Sequence, residues 1–451
     1  MSFKFIDLFA GIGGFHGALE PFGGTCVFAS DIDKAAREIY ANNWKIHGQK
    51  KFDGSKIAGD IVPLTENEVA VPVHDVLVGG FPCQPFSKSG FQKGMDETRG
   101  TLFWNILKIL EARRPPVVIL ENVRNIAGPR HRHEWQTIIR SLRDLGYKVS
   151  DEPAILSPHL LPPERGGTPQ VRERVFITGT YVGKDKAWAN SDVEPVASNT
   201  AMYGWNTDSW NLDLHLLQND SDIENIDDYL ISAEEEYFLA VWEDFLQTIM
   251  KAGKLQKLPG FPLWADDFVL EPKIPRNLPA WKRDFLVKNS AFYKEHKKAI
   301  DAWKKRYGNL NSIPVSRRKL EWQAQDEKSI WNCIVQFRPS GIRVKKSTYL
   351  PALVAITQTS VIAKRKRRIT PREAARLQGF SDNFSFGNQP DRLTYKQLGN
   401  AVCIGVVQEV FLSHIERDKE ELPKKFTDIL ETRSSSTRTK NQKARQLRLI
   451  G

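Results

Sequence analysis

The chain has 451 residues, of which 41% are hydrophobic and 26% charged, and its formal net charge is +11. This composition excludes a wholly disordered chain, the length predicts two or three domains, and no apolar run approaches the ~20 residues of a membrane span. The positive charge favours a polyanionic partner. Because no long apolar run is present, we expect no membrane. The four cysteines are too dispersed for a disulfide scaffold or a zinc finger, so we expect free thiols and no metal.

The first 180 residues alternate strand-like and helix-like segments. Short β-type runs are FKFIDLF, TCVFAS, DVLVGG, PPVVILENV and RVFITGTYV, and helical stretches such as TLFWNILKILEAR lie between them. Strands that alternate with helices predict a mostly parallel sheet covered on both faces, and therefore an α/β fold.

The first of these strands runs into a glycine turn, in the stretch FIDLFAGIGGFHGALE. Gly11, Gly13 and Gly14 would let the backbone bend sharply and approach a ligand closely. Asp31 lies twenty positions after Gly11, at the end of the second strand, where a carboxylate can accept hydrogen bonds from ribose hydroxyls. Asp60, at the end of the third predicted strand, could meet an adenine amino group. Together these features favour a nucleoside-bearing cofactor over a tight strand–helix connection without a ligand.

A single cysteine follows the strand DVLVGG. Cys83 lies between Pro82 and Gln84 in a segment that proline and glycine break, so we expect it at a strand end. A thiol exposed there can act as a nucleophile once its pKa is lowered. Cys26 and Cys403 lie in apolar runs and are expected to be buried structural thiols.

Several short motifs, taken in chain order, resemble those of the cytosine-C5 DNA methyltransferases. They are DLFAGIGG, GGFPCQPFSKSG, ENV, QVRER, RRITPREAARLQGF and QLGNAV. The resemblance covers about residues 1–180 and 367–416. It implies a Rossmann-like domain that binds S-adenosyl-L-methionine and releases S-adenosyl-L-homocysteine, with double-stranded DNA as the partner.

The resemblance also implies a role for each catalytic candidate. The Cys83 thiolate would add to C6 of cytosine and so make C5 reactive, and Glu121 would protonate N3 and accept from the exocyclic amine. Arg174 would contact the cytosine O2, and Arg172 would hold the catalytic loop or the target phosphates. Because these arginines alternate in QVRERVF, we expect both on one face of a strand. The target base must leave the helix, and Gln84 or a loop residue would fill its place.

The complete sets of predicted site residues follow from the motifs and the resemblance. The catalytic set is Pro82, Cys83, Gln84, Glu121, Arg172 and Arg174. The cofactor-binding set is Phe9, Ala10, Gly11, Gly13, Gly14, Asp31, Ile32, Asp60, Ile61, Leu102 and Asn400. The DNA-binding set is Ser87, Lys88, Arg99, Arg338, Arg343, Lys345 and Thr348. Residues 87–100 are polar and rich in glycine, and we expect them to form a mobile lid over DNA.

The middle of the chain has a different texture, with many tryptophans that we expect to be core residues and no β–α alternation. We therefore predict a catalytic domain in residues 1–180, an inserted target-recognition domain in 181–366, a return to the catalytic domain in 367–420 and a basic tail in 421–451. Arginine to guanine is the commonest specific base contact, but phosphate contacts use the same side chains. The recognition sequence therefore cannot be read from the chain.

Two alternatives remain open at this stage. An RNA cytosine-C5 methyltransferase has a similar fold, although the long inserted domain and the Pro-Cys-Gln loop favour duplex DNA. A non-catalytic DNA-binding descendant would be expected to lose at least one of Cys83, Glu121 and Arg174. We expect a monomer in the prokaryotic cytoplasm, associated with the nucleoid, in a restriction-modification or epigenetic system where a cognate restriction endonuclease would act separately.

Overall fold

The structure is a computed structural model that describes residues 2–47, 57–66, 69–82, 101–190, 192–253, 257–354 and 359–432. The chain divides into two compact units, the first comprising Met1–Thr207 with Ala375–Gly451 and the second Asp208–Ala374. The α-helices are α1 Gly14–Leu19, α2 Lys34–Asn43, α3 Leu102–Arg113, α4 Arg132–Asp144, α5 Lys184–Ala189, α6 Leu212–His215, α7 Ala233–Gly253, α8 Ala280–Arg306, α9 Pro371–Leu377, α10 Asp391–Asn400 and α11 Ile404–Arg417. The strands are β1 Phe3–Leu8, β2 Gly24–Ser30, β3 Val76–Gly80, β4 Val117–Val123, β5 Tyr147–Val149, β6 Ala154–Leu156, β7 Gln170–Val171, β8 Arg174–Tyr181, β9 Leu263–Trp264, β10 Lys319–Gln323, β11 Cys333–Arg338, β12 Gly341–Lys346, β13 Leu350–Pro351, β14 Val361–Ile362 and β15 Arg367–Arg368.

The first unit is built on a seven-stranded sheet with the order β2-β1-β3-β4-β8-β5, in which β6 also pairs with β8. β1 is parallel to β2 and β3, and β3 is parallel to β4. β8 is antiparallel to β4, β5 and β6, so within this sheet β8 alone runs against the other strands. This topology confirms the predicted Rossmann-like α/β fold with a mostly parallel sheet.

The central strands of this sheet are buried on both faces. Residues 76–78 of β3 and 117–120 of β4 are fully buried, as the apolar runs in their sequence predict. Leu77 and Val118 pack with Ile106 of α3 and Ile138 of α4 in one core cluster. The core therefore holds the strands rigidly and leaves their ends to carry polar side chains.

Helices α10 and α11 lie in a stretch, Asp391–Arg417, that is long and apolar enough to cross a membrane by length and composition alone. Its most apolar window is 78% buried inside the protein, as in a core helix of a globular fold. Phe411 of α11 packs against Phe3, and Phe426 packs against both rings. Because Phe426 is fully buried, the predicted tail from residue 421 begins too early, and residues 433–451 lie outside the described part of the chain.

The second unit also starts and ends later than the predicted domain 181–366. Residues 182–207 belong to the first unit because they bond to its sheet and helices. The backbone N–H of Met202 donates to the Leu160 carbonyl over 2.9 Å, and Trp188 stacks near the Arg143 guanidinium. At the other end, β15 pairs with β14, so residues 367–374 stay with the second unit.

The second unit contains a six-stranded sheet with the order β15-β14-β11-β12-β10-β9. One face of this sheet packs with α7 and α8. Trp242 and Phe245 of α7 and Trp303 of α8 lie in one core cluster with Val335 and Val344 of the sheet. Trp242, Trp303 and Trp322 are thus core residues as expected, whereas Trp188 and Trp281 are 42% and 59% exposed.

Candidate active site

The sheet of the first unit brings the predicted catalytic and cofactor residues to one edge. β1, β2, β3 and β4 are parallel, so their carboxyl ends meet there, and the reversed β8 begins there. The glycine turn of residues 9–14 follows β1, Asp31 follows β2, Pro82 follows β3, Glu121 lies near the end of β4, and Arg174 opens β8. This edge is where open α/β sheets bind ligands.

The glycine turn needs its glycines for two different reasons. A Cβ at Gly13 would lie 2.1 Å from Nε1 of Trp44, and a Cβ at Gly14 would lie 2.7 Å from Cγ2 of Val402, so packing excludes larger residues at both. Gly11 has φ +54°, and a Cβ there would meet no atom of the described residues within 4 Å. Among the described residues, Gly11 therefore faces open space.

The Asp31 carboxylate is bound to this turn. Its Oδ2 accepts from the N–H of Gly11 over 2.7 Å, and its Oδ1 accepts from the N–H of Asp33 over 2.8 Å. Burial raises the pKa of Asp31, although these two hydrogen bonds and the charge of Arg37 lower it. The next side chain, Ile32, is 76% exposed. An oriented carboxylate beside an exposed apolar side chain suits a ribose and its attached base.

Asp60 lies at the same edge as Asp31. A parallel bridge between Ser30 and Ala58 extends the sheet beyond β2, and Asp60 follows two residues later with its side chain exposed. Its Oδ1 accepts from the N–H of Val62 over 3.0 Å.

The other predicted cofactor residues differ in their accessibility. Phe9 is half-buried with φ 54°, in the left-handed region, and Ala10 is buried. Leu102 is half-buried in the first turn of α3, and Asn400 is exposed at the end of α10. The Ile61 side chain is only 3% exposed and packs in the core.

Glu121 and Arg174 form the charged centre of this edge. Nε of Arg174 lies 2.9 Å from Oε1 of Glu121. Gly80, the last residue of β3, pairs with Glu121, and a Cβ at Gly80 would lie 3.2 Å from Oε2. Burial raises the pKa of Glu121, whereas the charges of Arg174 and Arg172 lower it. The net direction is upward, so this carboxyl holds a proton more readily than an exposed glutamate does.

Arg172 lies just before the strand that Arg174 opens, and the charges of both arginines lower the pKa of Glu121. β7 ends at Val171 and β8 begins at Arg174, so Arg172 lies in the connection between them. It is 3% exposed, and its Nη2 donates to the carbonyls of Gly399 and Ala401 over 2.8 and 2.9 Å. Burial lowers its pKa to about 9. A guanidinium buried in this way anchors the C-terminal end of α10.

Asn122 is a site residue that sequence reasoning missed. Its Nδ2 donates to the carbonyl of Phe81 over 2.8 Å, and its Oδ1 accepts from the N–H of Val123 over 2.8 Å. It is only 3% exposed. The amide therefore ties the end of β4 to the residue before Pro82, which is itself exposed. Its position directly after Glu121 in the ENV motif was the available signal.

Cys83 and Gln84 lie outside the described residues, as do Ser87, Lys88 and Arg99 of the predicted lid. The described thiols of Cys26, Cys333 and Cys403 are all buried. Burial raises the pKa of Cys26 and Cys333 to about 12 and also raises that of Cys403, so all three are poor nucleophiles. The expectation that Cys26 and Cys403 are buried is confirmed. Within the described ranges, no group of three or more His, Cys, Asp or Glu residues could hold a metal ion.

The predicted DNA-binding residues of the second unit share one face of its sheet. Arg343 of β12 pairs with Glu321 of β10 and with Gln336 of β11, and paired residues point to the same face. Arg338 and Lys345 follow two residues after Gln336 and Arg343, so they lie on this face too. We call the face formed by Glu321, Gln336, Arg338, Arg343 and Lys345 the polar sheet face. Thr348 lies half-buried in the turn after β12.

The first unit thus defines the class of protein: a Rossmann-like α/β methyltransferase fold, with a buried glutamate–arginine pair at the strand ends beside a glycine turn. Residues 3–416 match the family model described as C-5 cytosine-specific DNA methylase, so the chain belongs to this family and is a DNA cytosine-5 methyltransferase.

Named relatives agree with this assignment over almost their whole length. The Type II methyltransferase M.AluI of Cellulosimicrobium cellulans is 43% identical, with 92% of each chain covered. M.BanI of Aneurinibacillus aneurinilyticus is 31% identical over 94% of this chain and 98% of its own. M.HhaI of Haemophilus parahaemolyticus is 27% identical over 90% of this chain and 92% of its own.

Proposed function

We propose that the protein transfers a methyl group from S-adenosyl-L-methionine to C5 of a flipped-out cytosine in a specific double-stranded DNA sequence, through covalent addition of Cys83 to C6. The observation that carries this proposal is the Glu121–Arg174 pair beside the end of β3, because Cys83 comes three residues after Gly80. A nucleophile, a raised-pKa acid and a cation at neighbouring strand ends are the groups that this chemistry needs.

The chain offers a suitable site for the cofactor. The open space at Gly11 would admit the methionine part, the Asp31 carboxylate would accept from the ribose hydroxyls, and exposed Ile32 would cover one face of the adenine. The exposed carboxylate of Asp60 would accept a hydrogen bond from the adenine amine. When bound, the cofactor supplies an electrophilic methyl group on a sulfonium.

The residues of the chain would prepare the cytosine in three steps. The Cys83 thiolate forms a bond to C6, and the electron density that this bond places on the ring is met by a proton from Glu121 at N3. C5 would then take the methyl group as the bond between that methyl and the sulfonium breaks, which leaves S-adenosyl-L-homocysteine. A base, for which water is sufficient, would remove the C5 proton. The electron pair left on C5 would form the C5–C6 double bond as the thiolate leaves, and the N3 proton would return to Glu121.

Arg174 would act on both the base and the acid. Its Nε holds Glu121 in place, and its guanidinium would donate to the cytosine O2. The Arg174 side chain is 18% exposed. Asn122 would act only indirectly, since it fixes the carbonyl before Pro82 and so the start of the segment that carries Cys83.

The relatives that are Type II methyltransferases support a role for this reaction in a restriction-modification system. We expect the protein to methylate DNA in the prokaryotic cytoplasm, at the nucleoid, and to protect sites that a separate restriction endonuclease would cut. Cytosine methylation needs one catalytic unit for each flipped base, so a monomer is sufficient.

The deciding experiment incubates the purified protein with labelled S-adenosyl-L-methionine and mixed-sequence duplex DNA, followed by bisulfite sequencing. We expect label in DNA and methylated cytosines in one recurring context. Structured RNA is assayed in parallel, and transfer to RNA alone would replace the DNA proposal. DNA binding without any transfer would mean that the catalytic assignment is wrong.

A further inference from the structure

A single carboxylate holds the two arginines of the polar sheet face. Oε2 of Glu321 accepts from Nη2 of Arg338, and Oε1 lies 3.1 Å from Nε and 3.0 Å from Nη2 of Arg343. The three side chains are 23%, 24% and 28% exposed, so solvent screens the cluster only in part. The surface predicted to bind DNA thus carries a carboxylate that offsets one of the two positive charges beside it.

The backbone beneath Arg338 is also held. Nη1 of Arg317 donates to the Arg338 carbonyl over 2.9 Å, and the Arg317 guanidinium lies 5.2 Å from the Phe337 ring centroid. Nε of Arg338 is buried and has no acceptor among the described residues. The Arg338 side chain therefore retains donor capacity although Glu321 fixes its direction.

The side chain of Arg338 has space to move if Glu321 releases it. Both residues line a cleft of about 580 Å³ in the second unit, whose walls also include Trp264, Trp281 and Lys319. A released guanidinium could therefore leave the polar sheet face or extend towards a phosphate. The carboxylate restricts this freedom.

We propose that Glu321 is a positioning residue for sequence reading, which holds Arg338 and Arg343 in fixed directions and reduces their attraction to phosphates. This inference rests on the proposed function. Arginines reach base edges only in defined orientations, whereas they bind phosphates in many orientations and without regard to sequence. A carboxylate between them therefore lowers binding to all DNA but favours the correct sequence.

The variant Glu321→Gln tests this role because it keeps the side-chain shape and removes the charge. We expect its affinity for mixed-sequence duplex DNA to rise about threefold to tenfold, with a plot of log affinity against log salt steeper by about 1 to 2, one for each additional phosphate neutralised. Bisulfite sequencing should show a larger fraction of methylated cytosines outside the context preferred by the wild-type protein. A residue with only a structural role would change neither the salt slope nor the context.

Two further variants complete the design. Glu224→Gln removes an equal charge from an exposed position in the same unit and should leave the salt slope and context unchanged. Glu321→Asp keeps the charge but shortens the reach, so it should broaden the context with little change in the salt slope. Thermal unfolding checks that each variant is folded.

The inference is overturned if Glu321→Gln matches Glu224→Gln in both measurements. If Glu321→Gln does not fold, Glu321→Asp decides, and an unchanged context overturns the inference. Failure of the proposed function would look different, because the wild-type protein itself would then leave DNA unmethylated.

Discussion

Two glutamate–arginine clusters in this protein use the same residue types in different surroundings. In the first unit, Glu121 is 9% exposed at the ends of the strands, and burial raises its pKa. In the second unit, the Glu321 side chain is 23% exposed on a sheet face and bonds two arginines. The comparison teaches that burial, rather than composition, separates a carboxyl suited to proton transfer from one suited to orienting its neighbours.

The largest expected effect follows substitution of Cys83, the proposed nucleophile of the reaction that the first cluster would assist. We expect Cys83→Ser to lose methyl transfer by a factor on the order of 10⁴ or more, because a hydroxyl cannot replace the thiolate. DNA binding should remain, as measured by gel shift. The control Cys26→Ala removes a buried thiol and should retain transfer; substantial methylation by Cys83→Ser would contradict the covalent mechanism.

The second prediction compares the two glutamates directly. Glu121→Gln should slow methyl transfer by about 10²- to 10⁴-fold, since the amide cannot give a proton to N3. Glu321 only orients arginines, so Glu321→Gln should change the single-turnover rate on the preferred sequence by no more than about threefold. Equal rate losses in the two variants would remove the distinction between the clusters.

The pH dependence of Glu121 has a definite sign. Its folded pKa is raised, so the native state binds the proton more tightly than the unfolded chain does. The contribution of this carboxyl to the free energy of unfolding is therefore full below its unfolded pKa and is lost as the pH rises through the folded pKa. The single-turnover rate should fall as the pH rises through the folded pKa of Glu121, and Glu121→Gln should abolish this decrease. A wild-type rate that rises over this pH range would contradict the acid role.

The fourth prediction distinguishes the roles of the two arginines near Glu121. Arg172→Ala should lower the free energy of unfolding by about 2 to 4 kcal/mol, because the buried carbonyls of Gly399 and Ala401 lose their donor. Arg174→Ala should lower it less and reduce methyl transfer more. Urea denaturation and single-turnover kinetics on both variants check this, and similar stabilities would mean that Arg172 is not an anchor.

The smallest expected effect concerns cofactor affinity. Asp31→Ala should weaken S-adenosyl-L-methionine binding by about tenfold or more, since it removes charge-assisted hydrogen bonds to the ribose. Asp60→Ala should weaken binding less, because its contact is to one amine. Isothermal titration calorimetry measures both, and unchanged affinity in Asp31→Ala would mean that the ribose assignment is wrong.

The fold of the first unit could be predicted because its signals are local. Short apolar runs such as those that begin β3 and β4 indicate strands buried on both faces, and the glycine turn indicates where β1 ends. The positions of Asp31 and Glu121 at one edge then follow from parallel strands alone.

Other features depended on contacts that are distant in the sequence. The acceptors of Arg172, Gly399 and Ala401, lie 227 and 229 residues away in the chain. The unit boundary at Asp208 depends on bonds such as that from Met202 to Leu160. Periodicity within a segment contains no information about such partners.

By itself, the sequence determined the α/β class, the order of the strand-end motifs and the family resemblance, because short motifs and apolar periodicity are local properties of the chain. Only the tertiary structure decided that Glu121 is buried against Arg174, that Arg172 is an anchor and that Glu321 joins Arg338 to Arg343. Those outcomes depend on strand register and burial, which are set by packing between segments far apart in the chain.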